Sequence, residues 1–426
     1  MGFASAYLEK KALFPQLIGE RPVSGTEIIV TVPSFDEPRI TDLLDALSLC
    51  DRPACEAEVI IVVNAPRDSS AESIENNKNS LASIELWKRK NRYCFFSVHP
   101  VDVTSSPTEN WGVGSARKTG MDEALRRFDH LDNPEGVIMN LDADCRVAAN
   151  YFTAIHSQFC TQRKRKACSV YFEHPVCGTE FPAVIYRSIV IYELHLRYYY
   201  QGLRLAGYPD VFHTVGSAMG VKALPYAKAG GMNRRQAGED FYFIQKLLPM
   251  GGYFTLNETA VYPSPRPSSR VPFGTGTVME RLTVSNDNVG LLTYNIKAFE
   301  ELKCFFGMTE IIFDCCPDGA AGLYKRLPDG IRNFVDENEW IGKISEIKNN
   351  TAGFPAFKKR FFEWFNMFRI VRYMNSVHPN LFPKRPVADS ALELLGLSGY
   401  SLNTTEPEEI LRFYRDLERP GYAQDL

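Results

Sequence analysis

The stretch EIIVTVPSFDEPRITDLLDALSLCDRPACEAEVIIVVN, residues 27–64, contains two apolar runs separated by one amphipathic segment. The runs EIIVTV (27–32) and EVIIVV (58–63) are rich in β-branched residues and border turn-forming residues, which is typical of buried strands. Between them, four apolar residues recur at the spacing of one helix face: Ile40, Leu43, Leu44 and Leu47. A strand, a helix and a strand in this order predict a βαβ unit, whose strands pair in parallel through a right-handed crossover.

The alternation of strands and helices continues after this unit. YCFFSVHP (93–100) predicts a third strand, and VIMNL (137–141) predicts a fourth. A helix between them is indicated by the spacing of four apolar residues: Met121, Ala124, Leu125 and Phe128. Because the strands are continuous apolar runs, we expect helices to cover both faces of the sheet. The sequence therefore predicts an α/β fold with a mostly parallel sheet flanked by helices.

The alternation ends near residue 280, and helical periodicity replaces it. We expect one α/β domain over residues 1–280 and a largely helical region over residues 281–426. Within the second region, residues 354–379 interleave basic and aromatic side chains, as do helices that lie at a membrane surface. The aromatic residues lie nearly all around the helix, however, so we expect a buried packing helix.

The composition is that of an ordinary globular protein. Among 426 residues, 48 are basic and 51 are acidic, so the net charge of −3 gives no general attraction to nucleic acid or to an anionic membrane. The first residues show no secretory signal, and no stretch reaches the roughly 18 apolar residues that span a bilayer. The 10 cysteines lack the paired spacing of a zinc site. We expect a cytoplasmic protein with reduced thiols and no nucleic acid partner.

Two aspartates, Asp142 and Asp144, follow the fourth predicted strand in VIMNLDADCRVAAN (137–150). The two-residue period of an extended chain points both carboxylates to the same side, into the crevice where α/β sheets bind ligands. Two like charges repel unless a cation joins them, and Mg²⁺ or Mn²⁺ suits carboxylate oxygens. The pattern indicates a metal-bridged phosphate site, with a solvated turn as the alternative.

A glycine-rich helix start lies upstream, in NWGVGSARKTGMDEALRRF (110–128). Gly112 and Gly114 precede a helix whose first turns carry Arg117 and Lys118. Such a start lets backbone approach a ligand, and basic residues at a helix N-terminus attract anions. The alternative is an ordinary helix start with a solvated basic end.

A third feature lies in GGMNRRQAGEDFYFIQKLLPMGGYFTL (230–256). Ala237 and Gly238 form a small-residue entry, and Glu239 and Asp240 open the next predicted helix. One interpretation is capping of the helix by acidic residues. The other is a carboxylate positioned as a base.

Five segments in this order resemble the motifs of family 2 glycosyltransferases of the GT-A fold: TVPSFDEP, VIIVVN, GVGSARKTGMDEAL, NLDADCRVAANYF and GGMNRRQAGEDFYFIQKL. The resemblance covers approximately residues 25–275. It implies binding of a nucleotide-sugar by eight residues: Pro33, Phe35, Glu37, Asn64, Gly114, Arg117, Asp142 and Asp144. It also implies that Asp144, with Asp142 beside it, holds Mg²⁺ or Mn²⁺. The catalytic base is expected to be Asp240, with Glu239 as the second choice.

The sequence departs from the family pattern at three places. Asn64 stands where an aspartate is usual, and an amide can still hydrogen-bond a base but brings no charge. Lys118 stands where asparagine is common, which adds a positive charge near the expected diphosphate. Residues 261–278 lack the histidine that many relatives use as a further metal ligand. There, Arg266 and Arg270 are candidates to bind phosphate, unless they belong to a basic solvated loop.

The resemblance implies a metal-dependent glycosyltransferase of the hexosyltransferase type that inverts the anomeric centre. A UDP-sugar is the expected donor, and a glycan or lipid-linked molecule is the expected acceptor, as in cell-surface polysaccharide synthesis. A lipid-linked acceptor would bring the protein to the inner face of the membrane as a peripheral contact. Three alternatives stay open: a nucleotidyltransferase of related fold, a phosphatase of the haloacid dehalogenase type, and a sugar-nucleotide-binding pseudoenzyme.

Overall fold

The computed structural model describes residues 2–105, 111–236, 238–268, 274–284, 291–316 and 319–420. Eight strands form one sheet: β1 (Thr26–Ser34), β2 (Glu56–Val63), β3 (Phe96–Asp102), β4 (Val137–Asn140), β5 (Arg146–Val147), β6 (Ala167–Phe172), β7 (Met219–Lys222) and β8 (Tyr253–Tyr262). Two short strands form a second sheet: β9 (Leu292–Thr293) and β10 (Arg385–Pro386).

The helices up to residue 284 lie mostly between strands of the large sheet. They are α1 (Ser5–Lys11), α2 (Ile40–Ser48), α3 (Ala71–Lys90), α4 (Val113–His130), α5 (Tyr151–Ile155), α6 (Ala183–Leu205), α7 (Ala223–Lys228), α8 (Glu239–Leu247) and α9 (Thr275–Val284). The later helices are α10 (Ile296–Gly307), α11 (Thr309–Asp314), α12 (Gly319–Tyr324), α13 (Asp329–Phe334), α14 (Glu337–Asn349), α15 (Phe354–Trp364), α16 (Met367–Val377), α17 (Val387–Leu397) and α18 (Pro407–Glu418). This order confirms the predicted α/β class and the helical C-terminal region.

The large sheet is mixed, with strand order β3-β2-β1-β4-β7-β6-β8-β5. Four of its seven pairings are parallel: β1 with β2, β1 with β4, β2 with β3, and β6 with β8. The chain runs outward from β1 through β2 to β3 and then returns to the other side of β1 as β4. The strand order therefore reverses between β1 and β4, and such switch points are where open α/β sheets bind ligands.

The predicted βαβ unit is confirmed with small changes at the ends of its elements. Strands β1 and β2 are buried along almost their whole length, and the four apolar residues of α2 all face the core. The third strand begins at Phe96 rather than at Tyr93, because the preceding residues form a turn in which the Cys94 amide donates to the Asn91 carbonyl at 2.9 Å. An apolar run therefore overestimates the length of a strand when some of its residues belong to a turn.

The described residues divide into two compact units. The first contains residues 2–189, 214–284 and 418–420, and holds the large sheet. The second contains residues 190–213 and most of the chain from 291 to 417, and is built almost entirely of helices.

Residues 354–379 form two helices of the second unit rather than the single helix that was predicted. Helix α15 ends at Trp364, and the Asn366 side chain caps α16 by accepting a hydrogen bond from the Arg369 amide. Phe361 and Phe365 are fully buried and pack their rings against Phe305. The expected packing role is thus visible in the structure. In the described part of the chain, no helix combines the length and the apolar character that crossing a bilayer requires.

The start of α4 packs directly on the loop that leads into α8. The Gly114 amide donates to the Arg235 carbonyl at 3.2 Å. A Cβ atom at Gly114 would lie 2.4 Å from that carbonyl oxygen, and one at Gly112 would lie 2.7 Å from the Cα of Gln236. These two glycines therefore permit close contact between two segments of the chain itself, which sets the position of α4 relative to α8.

We expect Gly114→Ala to lower the free energy of unfolding by about 1–3 kcal/mol, because backbone atoms would have to move to admit the new methyl group. Gly19→Ala is the matched control, since nothing lies within 4 Å of a Cβ at Gly19. Urea unfolding of both variants measures the difference. Equal stability of the two variants would contradict the close packing.

Candidate active site

The candidate site lies at the edge of the sheet where β1 and β4 end. Glu37 follows β1, and Asp142 and Asp144 follow β4, so the switch point brings three carboxylates to one edge. The Glu37 side chain is buried, whereas those of Asp142 and Asp144 are 38% and 29% exposed. The two aspartates are thus accessible to a ligand.

Arg117, in the second turn of α4, joins two of the acidic segments. Its buried guanidinium donates through Nη2 to Asp142 Oδ1 at 2.5 Å and through Nη1 to Glu239 at the start of α8. Burial lowers the pKa of Arg117, but the carboxylates of Asp142, Glu239 and Asp240 outweigh burial and raise it above the ordinary value. The guanidinium is therefore a fixed positive charge among these carboxylates.

Gly216 completes the pocket that holds Arg117. A Cβ atom at Gly216 would lie 2.3 Å from Arg117 Nη1 and 2.7 Å from Nη2. Only a residue without a side chain leaves room for the guanidinium. Sequence reasoning missed Gly216 because it lies about 100 residues from Arg117, and no local pattern links the two.

Arg266 makes a second bridge, from Glu37 to Asp144. Its Nη2 donates to Glu37 Oε2 and, at 3.2 Å, to Asp144 Oδ2. Burial lowers the pKa of Arg266, and the contacts with Glu37 and Asp144 more than reverse this and raise it. Arg266 thus belongs to the site and not to a solvated loop. Its predicted companion Arg270 lies outside the described residues.

Glu239 and Asp240 occupy the first turn of α8, as predicted. Gly238 precedes them with a φ of 71°, a left-handed conformation that favours glycine. The Glu239 side chain is buried against Arg117, while Asp240 is half-buried and accepts a hydrogen bond from the Phe241 amide at 2.7 Å. Ala237, the other residue of the predicted small-residue entry, lies outside the described residues.

The two acidic side chains of this turn differ in their chemistry. Burial, and then the charge of Glu239, raise the pKa of Asp240 to about 6, although Arg117 opposes the rise. A carboxyl group with a pKa near 6 is suited to exchange protons near neutral pH. Glu239, by contrast, accepts a hydrogen bond from the Arg117 guanidinium.

Asn64 lies beyond the end of β2 with its amide engaged inside the protein. Its Nδ2 donates to the Ser34 carbonyl at 2.8 Å, and its Oδ1 accepts from the Trp111 indole at 3.0 Å. The amide therefore joins the last residue of β1 to the segment before α4. Contact with a nucleotide base stays a prediction for Asn64, and also for Pro33 and Phe35, which are partly buried at the end of β1.

Lys118 does not extend the positive charge of Arg117 toward the two aspartates of the β4 loop. It is buried beside Asp122, at 2.9 Å, and its Nζ donates to the Tyr7 hydroxyl at 2.7 Å. Tyr226 also donates to Asp122, at 2.7 Å. The expectation that Lys118 adds positive charge near a diphosphate is thus wrong. Consecutive residues of a helix point in different directions, so Lys118 does not follow Arg117.

The donor set at Asp142 and Asp144 fits a hard divalent cation. Mg²⁺ is commonly held by one or two carboxylates together with oxygens of a bound phosphate group, and both aspartates are partly exposed. The sequence predicts such an ion, which would relieve the repulsion between the two carboxylates. In the structure each carboxylate is paired with its own guanidinium, Asp142 with Arg117 and Asp144 with Arg266.

No family model matches the sequence, and no curated protein matches it. Among solved structures, residues 1–349 of S. aureus TarS in complex with UDP-GlcNAc are 13% identical over 81% of this chain and 92% of that chain, with a TM-score of 0.40. The mannosyltransferase PcManGT from Pyrobaculum calidifontis, in complex with GDP-Man and Mn²⁺, is 13% identical over 97% and 90%, with a TM-score of 0.35.

A third solved structure is glucosyl-3-phosphoglycerate synthase from Mycobacterium tuberculosis in complex with UDP. It is 13% identical over 65% of this chain and 91% of that chain, with a TM-score of 0.34. Similarity at these TM-scores assigns no activity to this chain. Any activity of this chain has to be inferred from the side chains of the candidate site.

We expect Arg117→Met to lower the free energy of unfolding by about 3–5 kcal/mol, because Glu239 would stay buried without its counter-charge. The double variant Arg117→Met with Glu239→Gln should recover a large part of this loss. Lys88→Met, which removes a partner of the exposed Glu85, is the control and should change stability by less than about 0.5 kcal/mol. Additive losses from Arg117→Met and Glu239→Gln, measured by urea unfolding, would contradict the pairing.

Proposed function

We propose that the protein is a metal-dependent glycosyltransferase that moves a sugar from a nucleotide-sugar to an acceptor hydroxyl. The observation that carries this proposal is the joining of the β4 aspartates to the acidic turn of α8 through Arg117. One edge of the sheet thus offers carboxylates for a cation beside a half-buried carboxyl group with a raised pKa. A cation can neutralise the leaving diphosphate, and such a carboxyl group can accept the proton of an attacking hydroxyl.

Asp240 is the proposed catalytic base. As a carboxylate it would accept the proton of the acceptor hydroxyl when that oxygen attacks the anomeric carbon. Glu239 is less suited to this task, since its side chain is buried and hydrogen-bonded to Arg117. Its proposed role is to hold Arg117, and through it Asp142, in position.

The two guanidiniums are proposed to face the diphosphate. Among the described residues, the buried Nε atoms of Arg117 and Arg266 have no hydrogen-bond partner. An N–H of a guanidinium suits a phosphate oxygen. The proposed contacts would therefore satisfy two buried donors that the protein leaves unpaired.

Asp142 and Asp144 would hold Mg²⁺ or Mn²⁺. When bound, the ion would supply positive charge to the leaving nucleoside diphosphate. To bind the ion, Asp144 would give up its 3.2 Å contact with Arg266. Arg266 would stay in place through its other partner, Glu37.

Single displacement by the acceptor would invert the anomeric centre. Asp240 lies on a different element from the β4 aspartates, so base and leaving group need not share one side of the sugar. A base opposite the leaving group serves inversion, and the same logic distinguishes inverting from retaining glycosidases. A hexose as the transferred sugar belongs to this proposal.

The donor is proposed to be a UDP-sugar and the acceptor a glycan or lipid-linked molecule, with synthesis of a cell-surface polysaccharide as the context. The proposed location is the cytoplasm, with peripheral contact at the inner face of the membrane if the acceptor is lipid-linked. A nucleotidyltransferase is disfavoured because it gives Asp240 no task. A pseudoenzyme that binds a sugar nucleotide is the second candidate, since Asn64 replaces the usual aspartate and is engaged internally.

We expect one class of nucleotide-sugar, tested as UDP-, GDP- and dTDP-sugars, to raise Tm by about 2 °C or more in the presence of Mn²⁺. The rise should need both the ion and the nucleotide, and should vanish in Asp144→Ala. Thermal-shift assays measure it, with the exposed Asp68→Ala as the control that keeps the response. No rise with any donor would reject the donor site.

We expect Asp240→Asn to reduce sugar transfer by about 10²–10⁴-fold while the thermal response to donor and Mn²⁺ is kept. In the wild type, kcat/KM should rise with pH and level off above about pH 6, because Asp240 must be ionised to accept a proton. This rise should be absent in Asp240→Asn. Donor binding without transfer or hydrolysis in the wild type would favour the pseudoenzyme.

A further inference from the structure

A group of side chains of the types that bind metal ions lies at the opposite ends of the same strands. Glu27 is near the start of β1, Cys55 immediately precedes β2, and His156 follows α5. Because β1 and β2 are parallel, their starts lie together at the edge of the sheet remote from Asp142 and Asp144. The group therefore lies outside the candidate active site.

The donor atoms of this group are close together. One carboxylate oxygen of Glu27, the Sγ of Cys55 and one ring nitrogen of His156 all lie within 4.8 Å of one another. The Nε2 of His156 is 3.5 Å from Oε2 of Glu27. In the part of the chain that the structure describes, no other group of three histidine, cysteine or acidic side chains meets this distance.

The local backbone at His156 is unusual. Residues His156–Cys160 form a π-helical turn, in which the Thr161 amide donates to the His156 carbonyl at 3.2 Å. Such turns are rare and occur frequently at functional sites. The same turn directs the Cys160 thiol toward the Glu27 carbonyl oxygen, at 3.9 Å, so it packs against the start of β1.

We propose that Glu27, Cys55 and His156 bind a zinc ion, with water as the fourth ligand. Sulfur, imidazole nitrogen and carboxylate oxygen together match the ligands of Zn²⁺, whereas Mg²⁺ and Ca²⁺ take oxygen ligands. One thiolate and one carboxylate also balance the two positive charges of the ion. As zinc binds, the S–H bond of Cys55 breaks, an S–Zn bond forms and the proton passes to solvent.

The three side chains can reach the geometry that zinc needs. Ligand atoms about 2.0–2.3 Å from a tetrahedral ion lie about 3.3–3.8 Å apart, and the 3.5 Å between His156 Nε2 and Glu27 Oε2 already fits this spacing. The Sγ of Cys55, within 4.8 Å of both donor atoms, can reach the same spacing through a small movement of the side chains. Glu27 is 44% exposed and His156 is 22% exposed, which allows this movement and gives the ion and a water molecule a path from solvent. Zinc would then join the starts of β1 and β2 to the turn after α5.

Cobalt titration of the full-length protein, after treatment with a chelator, tests the proposal. Co²⁺ takes the place of Zn²⁺, and bonding to Cys55 should give the intense absorption of a thiolate–cobalt bond. This absorption should be absent in Cys55→Ser, and His156→Ala should weaken Co²⁺ binding by at least about tenfold. Competition by Zn²⁺ should remove the absorption from the wild type.

Two exposed residues of the same unit provide matched controls, Cys177→Ser for the cysteine and His130→Ala for the histidine. Both variants should bind Co²⁺ as the wild type does.

Zn²⁺ should also raise the Tm of the wild type by about 3 °C or more, but not that of Cys55→Ser. Co²⁺ binding without thiolate absorption, or unchanged absorption in Cys55→Ser, would overturn the proposal. Neither readout needs sugar transfer, so failure of the proposed function would leave this test intact.

Discussion

The site depends on the neutralisation of carboxylates that the fold gathers at one edge of the sheet. The ends of β1 and β4 and the start of α8 bring five of them there: Glu37, Asp142, Asp144, Glu239 and Asp240. Carboxylates gathered this closely repel one another unless cations neutralise them, and the cost is largest for the buried Glu37 and Glu239. Arg117 and Arg266 each join two of these segments, so the same two guanidiniums hold the loops together and leave Asp240 partly compensated, with its pKa raised to about 6.

Much of the fold could be predicted from the sequence because its signals are local. Two β-branched runs predict β1 and β2, and the spacing of apolar residues predicts α2, each from a few neighbouring residues. A rule of topology then places the residues after parallel strands at one edge, which located Asp142 and Asp144. The acidic start of α8 was predicted from local sequence, since Glu239 and Asp240 directly precede the apolar face of a helix.

The pairings within the site could not be predicted, since they join residues that are distant in the chain. Arg117 and Glu239 are 122 residues apart, and Arg266 and Glu37 are 229 apart. Lys118 carries the same charge as its neighbour Arg117 yet lies against Tyr7 and Asp122, because the helix turns it to another side. The zinc ligands proposed here show the same limitation, since no sequence spacing links Glu27, Cys55 and His156.

A crystal structure with Mn²⁺ and a nucleoside diphosphate would test directly whether the β4 aspartates bind the metal, because the anomalous scattering of manganese locates the ion. We expect a manganese ion bound to Asp144, or to Asp144 and Asp142, and to oxygens of the diphosphate, with Arg117 or Arg266 beside the phosphates. A manganese ion or nucleotide bound away from the β4 aspartates would contradict it.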